Sequence, residues 1–293
     1  MIERPVMGVV VPARDEEALL PECLEHLQVA VDELHRRTRW RARAVVVLDS
    51  CTDGSAGAVA AAAGVEALTI SAGNVGLARA AGADHLLRTG VAVSWLACTD
   101  ADSRVPRSWL CDQVEAHSLG IELVMGSVLP DARSLTPAQL AAWLARHDLG
   151  DGHEHVFGAN LGISARAYAH VGGFAPLPLH EDVDLVRRVR AAGFVWHARG
   201  GDPVITSARR VGRAAGGFAT DLRLRLAEPV PTDRPAALGA DAPPVPAPAG
   251  GPQPLSVVPS AEPPSSQARS SSSQASVRLR ASSRADSASS RVS

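Results

Sequence analysis

Apolar residues follow two rhythms over the first three quarters of the chain. Val6 to Val11 (VMGVVV) and Arg43 to Leu48 (RAVVVL) are continuous β-branched runs, and Leu68 to Ile70 and Val93 to Cys98 are shorter ones. Unbroken runs of this kind predict strands buried on both faces. Between them, Glu16 to Arg37 carries Leu19, Leu20, Cys23, Leu24, Leu27, Val31 and Leu34 at helical spacing. That spacing predicts an amphipathic helix. Gly54 to Ala63 and Val75 to Leu87 predict two more helices. Strand–helix alternation predicts a doubly wound α/β sheet covered by helices. Ligands of such sheets bind outside the carboxyl ends of the strands, so chemistry is sought there.

The rhythm stops near Glu228. From there to Ser293 the chain holds 12 of its 21 prolines, 15 serines and no aromatic residue. Such a stretch buries too little apolar surface to offset its ordering entropy. The expected organisation is a folded domain over 1–227 and a disordered Pro/Ser-rich tail over 228–293.

Charge and composition exclude several classes. Lys+Arg is 29 against 31 Asp+Glu, giving a net charge of −2 over 293 residues. Every basic residue is arginine, and none forms a concentrated cationic face of the kind duplex nucleic acid needs. No apolar run approaches a membrane span. The N-terminus lacks the charged-then-apolar layout of a secretory signal, so a cytoplasmic location is expected. Cys23, Cys51, Cys98 and Cys111 form no CxxC pair, so reduced, mostly buried thiols are expected.

The strand ends carry the candidate chemistry. The first ends in Pro12-Ala13-Arg14-Asp15-Glu16-Glu17, where the acidic pair also suits a first helical turn. The second ends at Asp49, placed to take a base edge or a ribose hydroxyl, and Thr52 to Ser55 could cap the next helix. The fourth ends in Thr99-Asp100-Ala101-Asp102. Two aspartates one residue apart on a strand point the same way and are costly to desolvate without compensation. A hard divalent cation takes oxygen ligands of this type.

Further on, Val156 to Ser164 is a small-residue strand with a lone Asn160, and Val171 to Phe174 a turn. His180-Glu181-Asp182-Val183-Asp184 opens a helix that stops at Gly193. Arg209, Arg210 and Arg213 could close over a diphosphate, bind an anionic acceptor, or form a solvated turn. His153 and His155 form an H-x-H pair that fits either a metal or an acceptor-side surface.

The order of these pieces, with Asn74 to Gly82, Gly158-Ala159-Asn160 and Gly172-Gly173-Phe174 between them, resembles a family 2 glycosyltransferase. The resemblance covers roughly residues 6 to 215. It implies a GT-A (Rossmann-like) doubly wound mixed sheet and a nucleotide-sugar-dependent, hexosyltransferase-type activity. A sugar would pass from a nucleotide-diphosphate donor to a hydroxyl of a small-molecule, lipid or glycan acceptor. The resemblance puts Pro12, Arg14, Glu16, Asp49, Arg79, Asp100 and Ala101 around the nucleotide sugar. Mg²⁺ or Mn²⁺ would sit on Asp102 and Asp100, and Asp182 would be the general base of an inverting reaction. Glu181, His180, Asn160, Arg209 and Arg213 are secondary candidates. Asp15 and Ser50 stand where many relatives have Asn and Asp. Two other functions compete: a nucleotidyltransferase making sugar nucleotides, and a non-catalytic sugar-nucleotide binder. The first usually opens with a Gly-rich loop and a basic residue after the first strand; the second has no need of Asp182.

Overall fold

A computed structural model describes residues 4–88, 90–209, 212 and 217–227. The expected tail over 228–293 and Arg213 lie outside the described residues. The valine runs form extended chain, as their stiff β-branched side chains favour. In order the elements are β1 (Val6–Ala13), α1 (Leu20–Arg37), β2 (Arg41–Asp49), α2 (Ser55–Ala61), β3 (Val65–Ile70), α3 (Val75–Arg88), β4 (Val93–Cys98), β5 (Ser103–Arg104), α4 (Trp109–Ser118), β6 (Leu123–Pro130), α5 (Pro137–Leu144), β7 (Leu161–Ser164), α6 (Ala165–His170), α7 (Glu181–Ala191), β8 (Trp196–Thr206) and α8 (Phe218–Ala227).

The strands form one sheet in the order β3-β2-β1-β4-β7-β6-β8-β5. β1 to β4 are mutually parallel. β7 runs antiparallel between β4 and β6, β8 is parallel to β6, and β5 is antiparallel to β8. The sheet is therefore mixed, with helices on both faces. Successive residues of β1 feed opposite cores: Val9 and Val11 join Leu24, Leu27 and Leu34 of α1, while Val10 joins Ala78 and Leu86 of α3. The pleat's period of two makes this division. Among the described residues no helix is long and apolar enough to cross a membrane. The four cysteines are free, and all but Cys51 are buried.

Helix α1 begins at Leu20 rather than at Glu16. The backbone N–H groups of Glu16 and Glu17 are taken by Ser55 Oγ and Asp53 Oδ2, both at 2.9 Å. Pro21, which needs no N–H partner in a first turn, lies just inside the helix. The N-cap of α2 is Gly54, inside the expected segment but without a side-chain cap bond; beside it Asp53 Oδ1 accepts from Ser55 N.

Past β6, Asp131 ties the far half of the sheet together. Its N–H donates to the Thr206 carbonyl, and its carboxylate accepts from Arg104 and Arg133, each at 2.9 Å. Burial pushes the Asp131 carboxyl up, but the two arginines outweigh it and hold it well below the usual carboxylate range. A depressed folded pKa contributes stability that is present above the unfolded value of about 4 and is lost as pH falls. Asp131→Asn should therefore be less stable than wild type at pH 7, with a narrower gap at pH 3. Urea unfolding at the two pH values measures it; an equal gap at both would remove the assigned linkage.

Candidate active site

Arg79 organises the centre of the site. It sits on α3 and is 2% exposed. A buried guanidinium needs every donor satisfied. Its Nη2 donates to Asp100 Oδ1 at 2.6 Å, its Nε to Glu181 Oε1 at 2.9 Å and its Nη1 to the Gly158 carbonyl at 2.9 Å. Burial works against the Arg79 charge, but Asp100 and Glu181 outweigh it and raise its pKa. Burial also pushes the Glu181 carboxyl up, against the pull of Arg79. Gly158 is gripped from its other side as well, since its N–H donates to Asp182 Oδ2 at 2.7 Å. A Cβ on residue 158 would lie 2.5 Å from Arg79 Nη2 and 3.1 Å from Asp182 Oδ2, so only glycine admits both side chains. Asp182 Oδ1 accepts from Val183 N at 2.8 Å. Four segments distant in sequence are thus joined: the DxD, α3, the 158 turn and the start of α7.

A second network surrounds Asp102. Its Oδ1 accepts from Ser103 Oγ and Thr206 Oγ1, both at 3.3 Å. Its Oδ2 lies 3.0 Å from Arg209 Nη2. Arg209 also reaches both oxygens of Glu16, at 2.8 and 2.6 Å. Burial, reinforced by the negative Asp100 and Glu16, pushes the Asp102 carboxyl up to about 6 although Arg209 pulls it down. One arginine does not fully offset the burial together with the carboxylates gathered there. A cleft of about 200 Å³ opens beside Asp102, bounded by Glu22, Arg104, Arg133 and Ser207.

On the β1–β2 side, Asp49 organises its own loop. Its Oδ1 accepts from Ala72 N and Gly73 N and its Oδ2 from Asn74 N, all at 2.8 Å. Burial raises its pKa, but these N–H groups outweigh it and the carboxyl ends below its usual range. Pro12, next to last in β1, is buried, and Ala101, the middle residue of the DxD, packs in the core. Arg14 is exposed, with Nη1 above Gly73. Asp15 and Ser50, just beyond the ends of β1 and β2, have φ of 52° and 57°, and His180 has 61°. Left-handed backbone at non-glycine residues is costly and concentrates at functional sites. Asp15, Cys51 and Asp53 also gather ligand-type atoms within 4.8 Å of one another, a grouping the sequence spacing does not signal.

The remaining candidates lie apart from these networks. Asn160 is interior: its Oδ1 accepts from Trp109 Nε1 at 2.9 Å and its Nδ2 donates to the Ser127 carbonyl at 2.8 Å. Gly126 makes room for that amide. His180 occupies the cap position of α7 with its side chain exposed. His153 and His155 join His147, which stacks on Trp143 at 3.5 Å between ring centroids. Thr206 and Ser103, which contact Asp102, have no motif of their own. Only the strand-end position of Thr206 hints at them.

The profile described as Glycosyl transferase family 2 matches residues 8–146. Over that segment the chain belongs to glycosyl transferase family 2. The fold is likewise similar to solved structures. One is the mannosyltransferase PcManGT from Pyrobaculum calidifontis in complex with GDP-Man and Mn²⁺, at 18% identity and TM-score 0.54, covering 76% of this chain and 61% of that one. Another is S. aureus TarS 1–349 in complex with UDP-GlcNAc, at 13% identity and TM-score 0.52, covering 72% and 61%. The chain spans about three fifths of the length of these proteins. At such identities the likeness shows the fold, which is GT-A. No curated protein matches the chain by sequence. The family 2 segment contains the β1 and β2 ends, Arg79 and the DxD; Gly158, Glu181, Asp182 and Arg209 lie beyond it.

Proposed function

We propose that the protein is a nucleotide-sugar-dependent glycosyltransferase that inverts the anomeric carbon and uses a divalent cation. The observation that carries this reading is the tie through Arg79, which holds Asp100, Glu181 and, by way of Gly158, Asp182 in one frame. In-line attack needs donor and base fixed relative to one another, and misplacement by an ångström is costly. Asp182 takes the proton from the acceptor hydroxyl. The two backbone N–H groups on its oxygens fix the carboxylate's orientation. Pro12, Arg14, Glu16, Asp49 and Ala101 border the nucleotide. The acceptor is a small molecule, lipid or glycan bearing a free hydroxyl.

The residues present fit a hard divalent cation. Asp100 and Asp102 offer carboxylate oxygens, and Asp102, pushed up by burial first and by the neighbouring carboxylates next, would be held ionised by a cation. Asp102 and Asp100 would hold Mg²⁺ or Mn²⁺. When bound, the cation neutralises charge developing on the departing diphosphate. The relatives bound to GDP-Man with Mn²⁺ and to UDP-GlcNAc support a nucleotide-sugar donor.

Incubation with a panel of UDP- and GDP-sugars, Mn²⁺ and hydroxyl acceptors tests the function. Release of nucleoside diphosphate with sugar transfer supports it. Release of pyrophosphate instead would mean a nucleotidyltransferase, and binding without turnover a non-catalytic binder. Asp102→Ala should remove the metal-dependent part of nucleoside diphosphate affinity while still melting cooperatively. Unchanged metal-dependent affinity by calorimetry would remove Asp102 from the cation site.

A further inference from the structure

Two buried carboxylates of the site, Glu16 and Asp102, share a cationic group that belongs to the chain itself. Glu16 follows β1 and Asp102 follows β4, and their side chains are 6% and 12% exposed. Carboxylates brought together out of water repel one another and lose solvation. Arg209 bridges them, with both guanidinium ends on Glu16 and one also on Asp102 Oδ2 at 3.0 Å. Its segment is pinned to the DxD by backbone too, because Ser207 N donates to the Asp102 carbonyl at 3.1 Å. Burial works against the Arg209 charge, but Glu16 and Asp102 outweigh it and raise its pKa.

A divalent cation on Asp102 needs an oxygen at about 2.0–2.6 Å. Of the two Asp102 oxygens, Oδ1 accepts from two hydroxyls and Oδ2 already carries a guanidinium donor. A divalent cation on Oδ2 and the guanidinium would stand a few ångströms apart and repel. We propose that Arg209 holds the cation seat while the cleft is empty, and that a divalent cation binds only by displacing it. This rests on the assignment of Asp100 and Asp102 as cation ligands. Metal entry and release of the 207–209 segment are then one event. A nucleoside diphosphate, which brings its own negative charge, favours the exchange by offering the freed guanidinium a new partner. Metal and nucleotide binding are therefore coupled through Arg209, and by linkage each strengthens the other.

Mn²⁺ titration followed by loss of the free-ion electron paramagnetic resonance signal tests this directly. The proteins are wild type, Arg209→Ala, Arg209→Lys and Asp102→Ala, each alone and with UDP or GDP. Arg209→Ala should bind Mn²⁺ alone about tenfold or more tighter than wild type, because a charge-assisted competitor is gone. Arg209→Lys, a point charge on a flexible stem, should fall between. UDP or GDP should strengthen Mn²⁺ binding less in Arg209→Ala than in wild type. Melting checks the fold and adds a second readout: without metal Arg209→Ala should melt below wild type, and Mn²⁺ should raise it more. Should Arg209→Ala fail to fold, the Arg209→Lys titration decides alone. Equal or weaker Mn²⁺ binding by the folded Arg209 variants, with binding lost in Asp102→Ala, overturns the exchange and leaves the cation assignment standing. Mn²⁺ binding that survives Asp102→Ala unchanged, or is absent from every protein, overturns both.

Discussion

Asp182→Asn should lower turnover by about 10²–10⁴-fold while donor affinity stays close to wild type. The substitution keeps the size of the side chain and removes its capacity to take a proton. Donor contacts are assigned to the ends of β1, β2 and β4, so the nucleotide side is left alone. Asparagine is not silent structurally. Both Asp182 oxygens accept backbone N–H groups, from Gly158 at 2.7 Å and Val183 at 2.8 Å. An amide offers one acceptor and turns its NH₂ toward the other N–H. The expected stability cost is about 1–3 kcal/mol, so assays belong well below the variant's melting temperature. A purely positional Asp182 predicts the stability loss without the kinetic one. Transfer within a few-fold of wild type in folded Asp182→Asn, at matched donor saturation, would leave the inverting mechanism without its base.

Much of the scaffold is legible in the sequence because buried parallel strands leave an unmistakable mark. β4 spans Val93–Cys98, the run the apolar pattern marks out. The start of α1 is not legible, since what withholds Glu16 and Glu17 from the helix is Ser55 and Asp53, on another loop. The reversal of β7 between two partners is invisible for a similar reason. The four residues of β7, Leu161–Ser164, carry no sign of direction. In the site, the DxD and the Glu181-Asp182 pair announce themselves by local spacing. Their partners do not. Arg79 meets Glu181 across 102 positions, and Arg209 meets Glu16 across 193. A chain read in order shows an arginine in a helix and an arginine in a basic turn; only folding shows that one is an internal brace and the other a counter-ion. Asp49 is intermediate. Its strand-end position is plain, but its use by three N–H groups of the 72–74 loop is not.

Arg79→Met should cost about 3–5 kcal/mol of stability, the range for removing one partner of a buried ion pair. Total stabilities are about 5–15 kcal/mol, so the variant sits near unfolding. The loss comes from what is left behind. Glu181, with its side chain 6% exposed, is left buried without its counter-charge, and the Gly158 carbonyl loses its donor. Asp100 is 36% exposed at its side chain and suffers less. Arg79→Lys keeps the charge but cannot reproduce a three-way fork, so an intermediate loss is expected. The double variant Arg79→Met/Glu181→Gln removes the stranded charge, and a positive coupling between the two sites should return part of the stability. Urea unfolding of wild type, the two Arg79 variants, Glu181→Gln and the double variant gives these numbers. Turnover then separates two roles for the brace. If Arg79 sets the position of Gly158 and so of Asp182, the double variant folds yet turns over slowly, with donor affinity less affected than rate. A double variant that regains both stability and turnover would reduce Arg79 to one half of an ion pair with no part in placing the base.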